Sequence, residues 1–420
     1  MGEISRKIVL ETLENLRCIA QKSDGLPSGG IHPFPARMPL PAAAFLIGRL
    51  TSPSDTILDP MVGSGTTLVA AQALGRRAIG FDMDPLSVKL SRVSTLRKGA
   101  SPLVEAAKTV LDRAQELKKQ CKRDDLIAKV CWADRRFVDY WFPRRSQKEL
   151  AAIALAIREQ DEPRIRDFLW VVFSGLIVAK SSGASYALDL ARSRPHRELT
   201  KKILWPFDAW ERRSRRVSAV IAAWDSFIAG PQSAVRRGDA RELPLEDCSI
   251  DFVLTSPPYL HAIDYIRAHK FALVWMGRDL EELRGIRSTM IGTERGLFSR
   301  NGLPTTIEER VDRASRSSEA RTRRYLSDMH SMLVELGRVL KPKGYVVLVT
   351  GNSIISQHRR DSSEIVKALA KDAGLEFAGF SVRQLKDSLR SLPPPRIVSN
   401  RNSLRKRMRS ETFIALQKVT

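Results

Sequence analysis

The tetrapeptide Ser256-Pro257-Pro258-Tyr259 puts two hydrogen-bond acceptors, two rigid backbone positions and an aromatic ring side by side. A serine Oγ and the carbonyl oxygen of the residue after it can accept both N–H bonds of a single amino group. That pairing suits an exocyclic amine on adenine or cytosine, a poor nucleophile because its lone pair is delocalised into the ring. Holding both hydrogens draws the nitrogen toward tetrahedral geometry and frees the lone pair for attack. The prolines fix the backbone and bring no N–H to repel the incoming donor. Tyr259 offers a face on which a base taken out of its stack can rest. This chemistry calls for neither a covalent nucleophile nor a metal.

A second constellation lies upstream, in Ile57-Leu58-Asp59-Pro60-Met61-Val62-Gly63-Ser64-Gly65-Thr66-Thr67. A strand ending in Asp, a tight Gly-x-Gly turn and a following helix bring backbone close to a ligand, and side chains at the glycines would block that approach. Asp59 is placed to bind the amino group of a methionine moiety. A second strand ends at Gly80-Phe81-Asp82-Met83-Asp84, so that Asp82 falls about 20 residues past the turn, where an acid accepts from ribose hydroxyls. Asp84 reads as a helix cap or an exposed charge. The turn lacks the third glycine of a nicotinamide fingerprint and the lysine of a phosphate loop. Asp239, in Arg237-Gly238-Asp239, is a candidate acceptor for an adenine amino group or a turn cap. Pro33, Pro35 and Pro39 hold an extended segment on which Phe34 can pack against a ligand.

Positioning these groups requires a sheet. Short β-like runs occur at 56–58, 78–81, 234–236, 252–255, 345–349, 377–382 and 412–416, largely alternating with helical patterns. This predicts an α/β fold with a doubly wound, seven-stranded, Rossmann-like sheet whose ligands sit beyond the strands' carboxyl ends. Two stretches are too long for ordinary connections. Residues 91–230 carry helical patterns at 103–119, 149–158 and 166–180 and read as a helical insertion. Residues 260–325 are dense in Arg and Ser and read as a partly mobile loop region. The chain thus divides into 1–90 with the cofactor turn, the insertion, and 231–420 with the tetrapeptide. After the tetrapeptide, Asp264 and Tyr265 are placed to line a base pocket, whereas His261 and His269 read as surface residues or caps.

Seventy Lys and Arg against 47 Asp and Glu give a formal charge of +23, which favours a polyanionic partner through phosphate neutralisation. Arginines at 192–197, 212–216 and 321–324 are candidate phosphate contacts. Mean hydropathy is −0.22, and no run resembles a membrane span or a secretory signal. Cys18, Cys121, Cys131 and Cys248 form no close pair, which fits a reducing cytoplasm.

Taken together, these residues resemble the amino-methyltransferases of DNA, the family that makes N4-methylcytosine or N6-methyladenine. The resemblance covers the sheet and leaves out the long insertions. It implies S-adenosylmethionine as cofactor, held by Phe34, Pro35, Ala36, Asp59, Pro60, Gly63, Gly65, Thr66, Asp82, Met83 and Asp239. It assigns catalysis to Ser256, Pro257, Pro258 and Tyr259, and it implies a double-stranded DNA substrate and a possible partner restriction endonuclease. Glu335 to Gly344 is similar to the helix-to-strand passage of class I methyltransferases. Cofactor elements precede catalytic ones, the order called gamma. Ser rather than Asp or Asn at the first catalytic position favours N4 of cytosine. No Pro-Cys pair is present, as a cytosine-C5 enzyme would need. Two other readings remain: a guanine-N2 methyltransferase of tRNA or rRNA, and a silent DNA-binding scaffold.

Overall fold

The computed structural model describes residues 4–16, 19, 30–34, 37–97, 99–179, 182–188, 190, 195–258, 264–293, 316–351, 362–384 and 410–419; at 100, 132, 316–321, 362, 363 and 365 only the backbone is described. The strands are β1 (Thr56–Asp59), β2 (Arg77–Asp82), β3 (Ala187–Leu188), β4 (His196–Arg197), β5 (Ala234–Arg237), β6 (Ile250–Thr255), β7 (Leu340–Gly351), β8 (Leu375–Gln384) and β9 (Ser410–Lys418). Seven form one sheet in the order β5-β2-β1-β6-β7-β9-β8, and β3 and β4 pair as a small separate hairpin. Six strands run in one direction, with β9 inserted antiparallel between β7 and β8. All seven anticipated strands are present in this doubly wound α/β sheet.

The apolar runs follow from burial on both faces. Ile57, Phe252, Leu254, Val347, Val349 and Phe413 join a core with α1 (Arg6–Asn15), α2 (Leu40–Leu50) and α3 (Thr66–Ala73). Their neighbours Leu58, Val253, Val346, Leu348 and Ile414 turn the other way, onto Met332, Leu333 and Leu336 of the helix Arg316–Val339. Consecutive residues therefore serve opposite cores, as the two-residue period of a strand requires.

A third core belongs to helices. Beyond β2 come α4 (Pro85–Ser94), α5 (Ala100–Gln120), α6 (Arg123–Cys131), α7 (Arg135–Trp141), α8 (Arg144–Arg158), α9 (Pro163–Ile177) and α10 (Pro206–Asp225). They bury Phe168, Phe173 and Trp210 among them. Between β6 and Arg316 the structure departs from expectation. In place of a loop region, the described residues of 264–293 form α11 (Tyr265–Leu273) and α12 (Leu280–Thr289). Asp264 and Asp279 cap their amino ends, while Ile266, Phe271, Leu283 and Ile286 dock them on the helical core. Dense Arg and Ser masked that apolar spacing.

Two of the expected phosphate-binding arginines also turn inward. Arg213 Nη2 donates to the Ile31 carbonyl at 3.0 Å, and Arg324 Nη2 to that of Ser288 at 2.5 Å. Of the 192–197 group, 192–194 lie outside the described residues.

The first and last described segments meet at the β8–β9 edge. Arg6 Nη2 donates to the Phe377 carbonyl at 3.0 Å, and Tyr345 Oη to that of Ile4 at 3.3 Å. Gln417 lies directly opposite Tyr345 in the sheet. Among the described residues no helix is long and apolar enough to cross a membrane.

Candidate active site

Chain order places β2 and β5 on one side of β1, and β6 and β7 on the other, so the connections diverge beyond the carboxyl ends of β1 and β6. Open α/β sheets form their ligand crevice at such a switch point. A cleft partly open to solvent lies there. Phe34, Asp59, Pro60, Gly63, Thr66, Asp82, Met83, Asp239, Ser256 and Pro258 all line it. Pro35, Ala36, Tyr259 and His261 lie outside the described residues.

The glycine turn is built by hydrogen bonds. Gly65 N–H donates to the Val62 carbonyl at 2.8 Å, and Val62 N–H to that of Phe81 at 2.8 Å. Ser91 and Ser94 of α4 donate to the carbonyls of Gly63 and Ser64, each at 2.9 Å. Gly63 and Gly65 have φ of 51° and 87°, values that strain residues carrying a Cβ. Their tasks differ. A Cβ on Gly63 would stand 3.2 Å from the Phe34 ring at the cleft. A Cβ on Gly65 would stand 3.1 Å from Ser91 Cα, so this glycine makes room for a helix rather than for a ligand. Gly65 and Pro257 are not among the cleft-lining residues.

The acids form the floor. Asp59 Oδ1 accepts from Thr255 Oγ1 at 2.7 Å and from Met61 N–H at 3.2 Å. Burial nevertheless pushes its carboxyl up to about 6. Asp82 accepts from Gly63 N–H and from Asp84 N–H, both at 2.9 Å. Burial, then repulsion from Asp84, pushes it up to about 7. Asp239 is less free than its sequence position suggests. Arg241 Nη2 reaches it at 2.6 Å and joins it to Asp328 through Nη1 at 2.5 Å.

Two expectations need correcting. Asp84 caps α4, accepting from Leu86 N–H at 2.9 Å, but it is wholly buried instead of exposed. It bonds the Nδ1 of His269, itself wholly buried rather than at the surface. One turn earlier on α11, Tyr265 stacks on Phe34 with ring centroids 4.9 Å apart at 17°, and both rings line the cleft. Tyr265 and His269 are four apart, the spacing of one helix face, so the signal was present in the sequence. Arg37, Met38, Met290 and Ile291 also line the cleft and carried no motif. Asp264 turns to Arg287 and Arg267.

Ser256 Oγ donates to the Val349 carbonyl at 3.2 Å. Its hydrogen is thereby spent on β7, and the lone pairs are left to accept.

A family profile described as DNA methylase matches residues 14–92, the span from α1 to α4 that holds the glycine turn and both acids. Type II methyltransferase M.MvaI of Kocuria varians is 24% identical over 89% of this chain and 86% of its own length. M.MjaII of Methanocaldococcus jannaschii is 20% identical over 58% of this chain and 61% of its own length. For M.BsoBI of Geobacillus stearothermophilus the values are 21%, 57% and 50%. Over the span of that profile and of these relatives, the chain is similar to the DNA amino-methyltransferases. It uses S-adenosylmethionine, the cofactor of methyltransferases, and the residues present fit that molecule. Asp59 and Asp82 would offer acceptors to its ammonium and ribose hydroxyls, and Gly63 leaves the wall under Phe34 open.

Proposed function

We propose that this enzyme methylates the exocyclic amino group of a base extruded from double-stranded DNA, N4 of cytosine in preference to N6 of adenine. The reading rests on one observation: Ser256, an acceptor whose hydrogen is already committed to Val349, lines the same cleft as Asp59 and Asp82. S-adenosylmethionine supplies the electrophilic methyl group. Asp82 accepts from its ribose, Asp59 holds its amino group, and Phe34 packs on its apolar side. Ser256 Oγ and the Pro257 carbonyl accept the two N–H bonds of the base and turn its lone pair toward the methyl. Tyr259 supports the extruded ring. Orientation of two bound reactants then accounts for much of the rate. Serine at the first catalytic position supports cytosine. The roles for 1–90, 91–230 and 231–420 follow: cofactor turn, duplex recognition and catalysis.

The test uses methyl-labelled S-adenosylmethionine and unmethylated genomic DNA, digested to nucleosides. Label in N4-methylcytosine is the expected result. Label in N6-methyladenine would change the base, and label only in RNA would overturn the DNA reading.

A further inference from the structure

The carboxyl end of the sheet is bordered by α11 and α12, each of which meets the cleft at one end. Tyr265 opens α11 and lines the cleft; Met290 and Ile291 follow α12 and line it too. Arg267 is two residues beyond Tyr265, and Arg287 three before Met290, so each arginine stands within one turn of a residue that lines the cleft. Both converge on Asp264, Arg287 in direct contact and Arg267 at 3.5 Å. Their side chains keep 20% and 18% of their surface.

Around this pair the charge does not balance. Lys270, one turn after Arg267, lies over Phe137 and Phe271 at 5.6 and 5.8 Å from their centroids. Among the described residues it has no carboxylate in ion-pair contact. Burial lowers its affinity for a proton, and Arg287, Arg267 and Arg284 lower it further against the opposing pull of Asp264. Arg284 is exposed on the same side of α12. Asp264 faces Arg267, Lys270 and Arg287, and Asp134 faces Arg284, so four cations meet two carboxylates. The acids Asp134 and Asp279 sit at the other end of α12, where they accept from the N–H groups of Leu280 and Glu282. A cation held on aromatic rings beside three others gains from an anion that brings several charges in a line.

We propose that Arg267, Lys270, Arg284 and Arg287 form a clamp for the DNA backbone, holding the phosphates that flank the extruded nucleotide at the mouth of the cleft. The clamp rests on the reading of DNA as substrate and adds where the strand runs. Phosphate contacts fix register and carry no sequence information. The face therefore serves any target sequence, and recognition of bases falls to other parts of the chain. Asp264 holds the two inner arginines in place, while Lys270 and Arg284 are the outer contacts.

The experiment compares wild type with the K270Q/R284Q double variant on a random-sequence unmethylated duplex, titrated from 50 to 200 mM salt. Each lost phosphate contact lowers the slope of log affinity against log salt by roughly 0.9. Two lost contacts lower it by about 1.8, so the fourfold rise in salt weakens wild type about 12-fold more than the variant. S-adenosylmethionine affinity, read by calorimetry, stays within about twofold, which separates a lost contact from a lost fold. An unchanged slope in the variant, with the wild type methylating DNA, overturns the clamp alone. A wild type that transfers no methyl group to DNA overturns the substrate reading and the clamp with it.

Discussion

Ser256 can be an acceptor for a base only while its own hydrogen has somewhere else to go, and the Val349 carbonyl provides that place. The S256A variant loses the acceptor and keeps the acids. Its single-turnover methylation rate should fall about 100-fold or more, as when one preorganised partner of the reacting group is removed, while cofactor affinity measured by calorimetry persists. Near-wild-type rates would refute the role of this hydroxyl. The acids make a prediction in pH. In the folded protein Asp82 is pushed up to about 7, against about 3.9 in an unfolded chain. The folded state therefore holds a proton the unfolded chain has released. That contribution to stability is complete below about pH 4 and is lost as the pH rises through 7. Wild type should lose melting temperature relative to D82N between pH 5 and 8. Cofactor affinity should move the opposite way, rising up to about tenfold per unit below 7 as Asp82 becomes able to accept from both ribose hydroxyls. A flat calorimetric profile from pH 5.5 to 7.5 would exclude Asp82 as the ribose acceptor. Asp59, Asp82 and Ser256 were legible in sequence because each ends a strand beside a turn of fixed spacing. The burial of Asp84 was not, because its partner His269 stands 185 residues away.

At the scale of elements, α11 carries two functions on two faces. Tyr265 and His269 face Phe34 and Asp84, while Arg267 and Lys270, both half-buried, face Asp264 and the Phe137 and Phe271 rings. The His269–Asp84 bond ties α11, which follows the Ser-Pro-Pro-Tyr tetrapeptide, to the cap of α4, which follows Asp82. Replacing His269 with leucine leaves Asp84 buried with its partner gone, a change that costs about 3 kcal/mol. Urea denaturation of H269L should show that loss together with weakened cofactor binding. H269Q, which restores a donor, should recover part of both. Equal behaviour of the two variants would mean that packing, not the hydrogen bond, matters. The sheet was readable here because both faces of its strands are buried, giving unbroken apolar runs. By contrast, α12 shows only Leu280, Leu283 and Ile286 among charged and small residues, and β3 and β4 are two residues each, too short for any period.

For the whole molecule, three cores share one sheet: two lie on its faces, and the third joins helices beside the cleft. A charge of +23 overlies them unevenly, since Arg213 and Arg324 are spent on carbonyls inside. Composition announced a polyanionic partner but could not say which arginines were available, because a guanidinium serves a buried carbonyl as readily as a phosphate. The attachment of the first described segment to β7 and β8, on either side of β9, has one more consequence. Ile4 touches Tyr345, whose neighbour across the sheet is Gln417, so an eight-residue Gly/Ser bridge, spanning roughly 16 Å, can close the polypeptide into a ring. A ring has no first motif. Cut at the exposed Gly99, it would read catalytic residues before cofactor residues while every strand kept its neighbours. Such a circular permutant should melt cooperatively and bind S-adenosylmethionine within about tenfold of wild type. The gamma order of motifs would then be a matter of where the ring is opened, not of how the site is made.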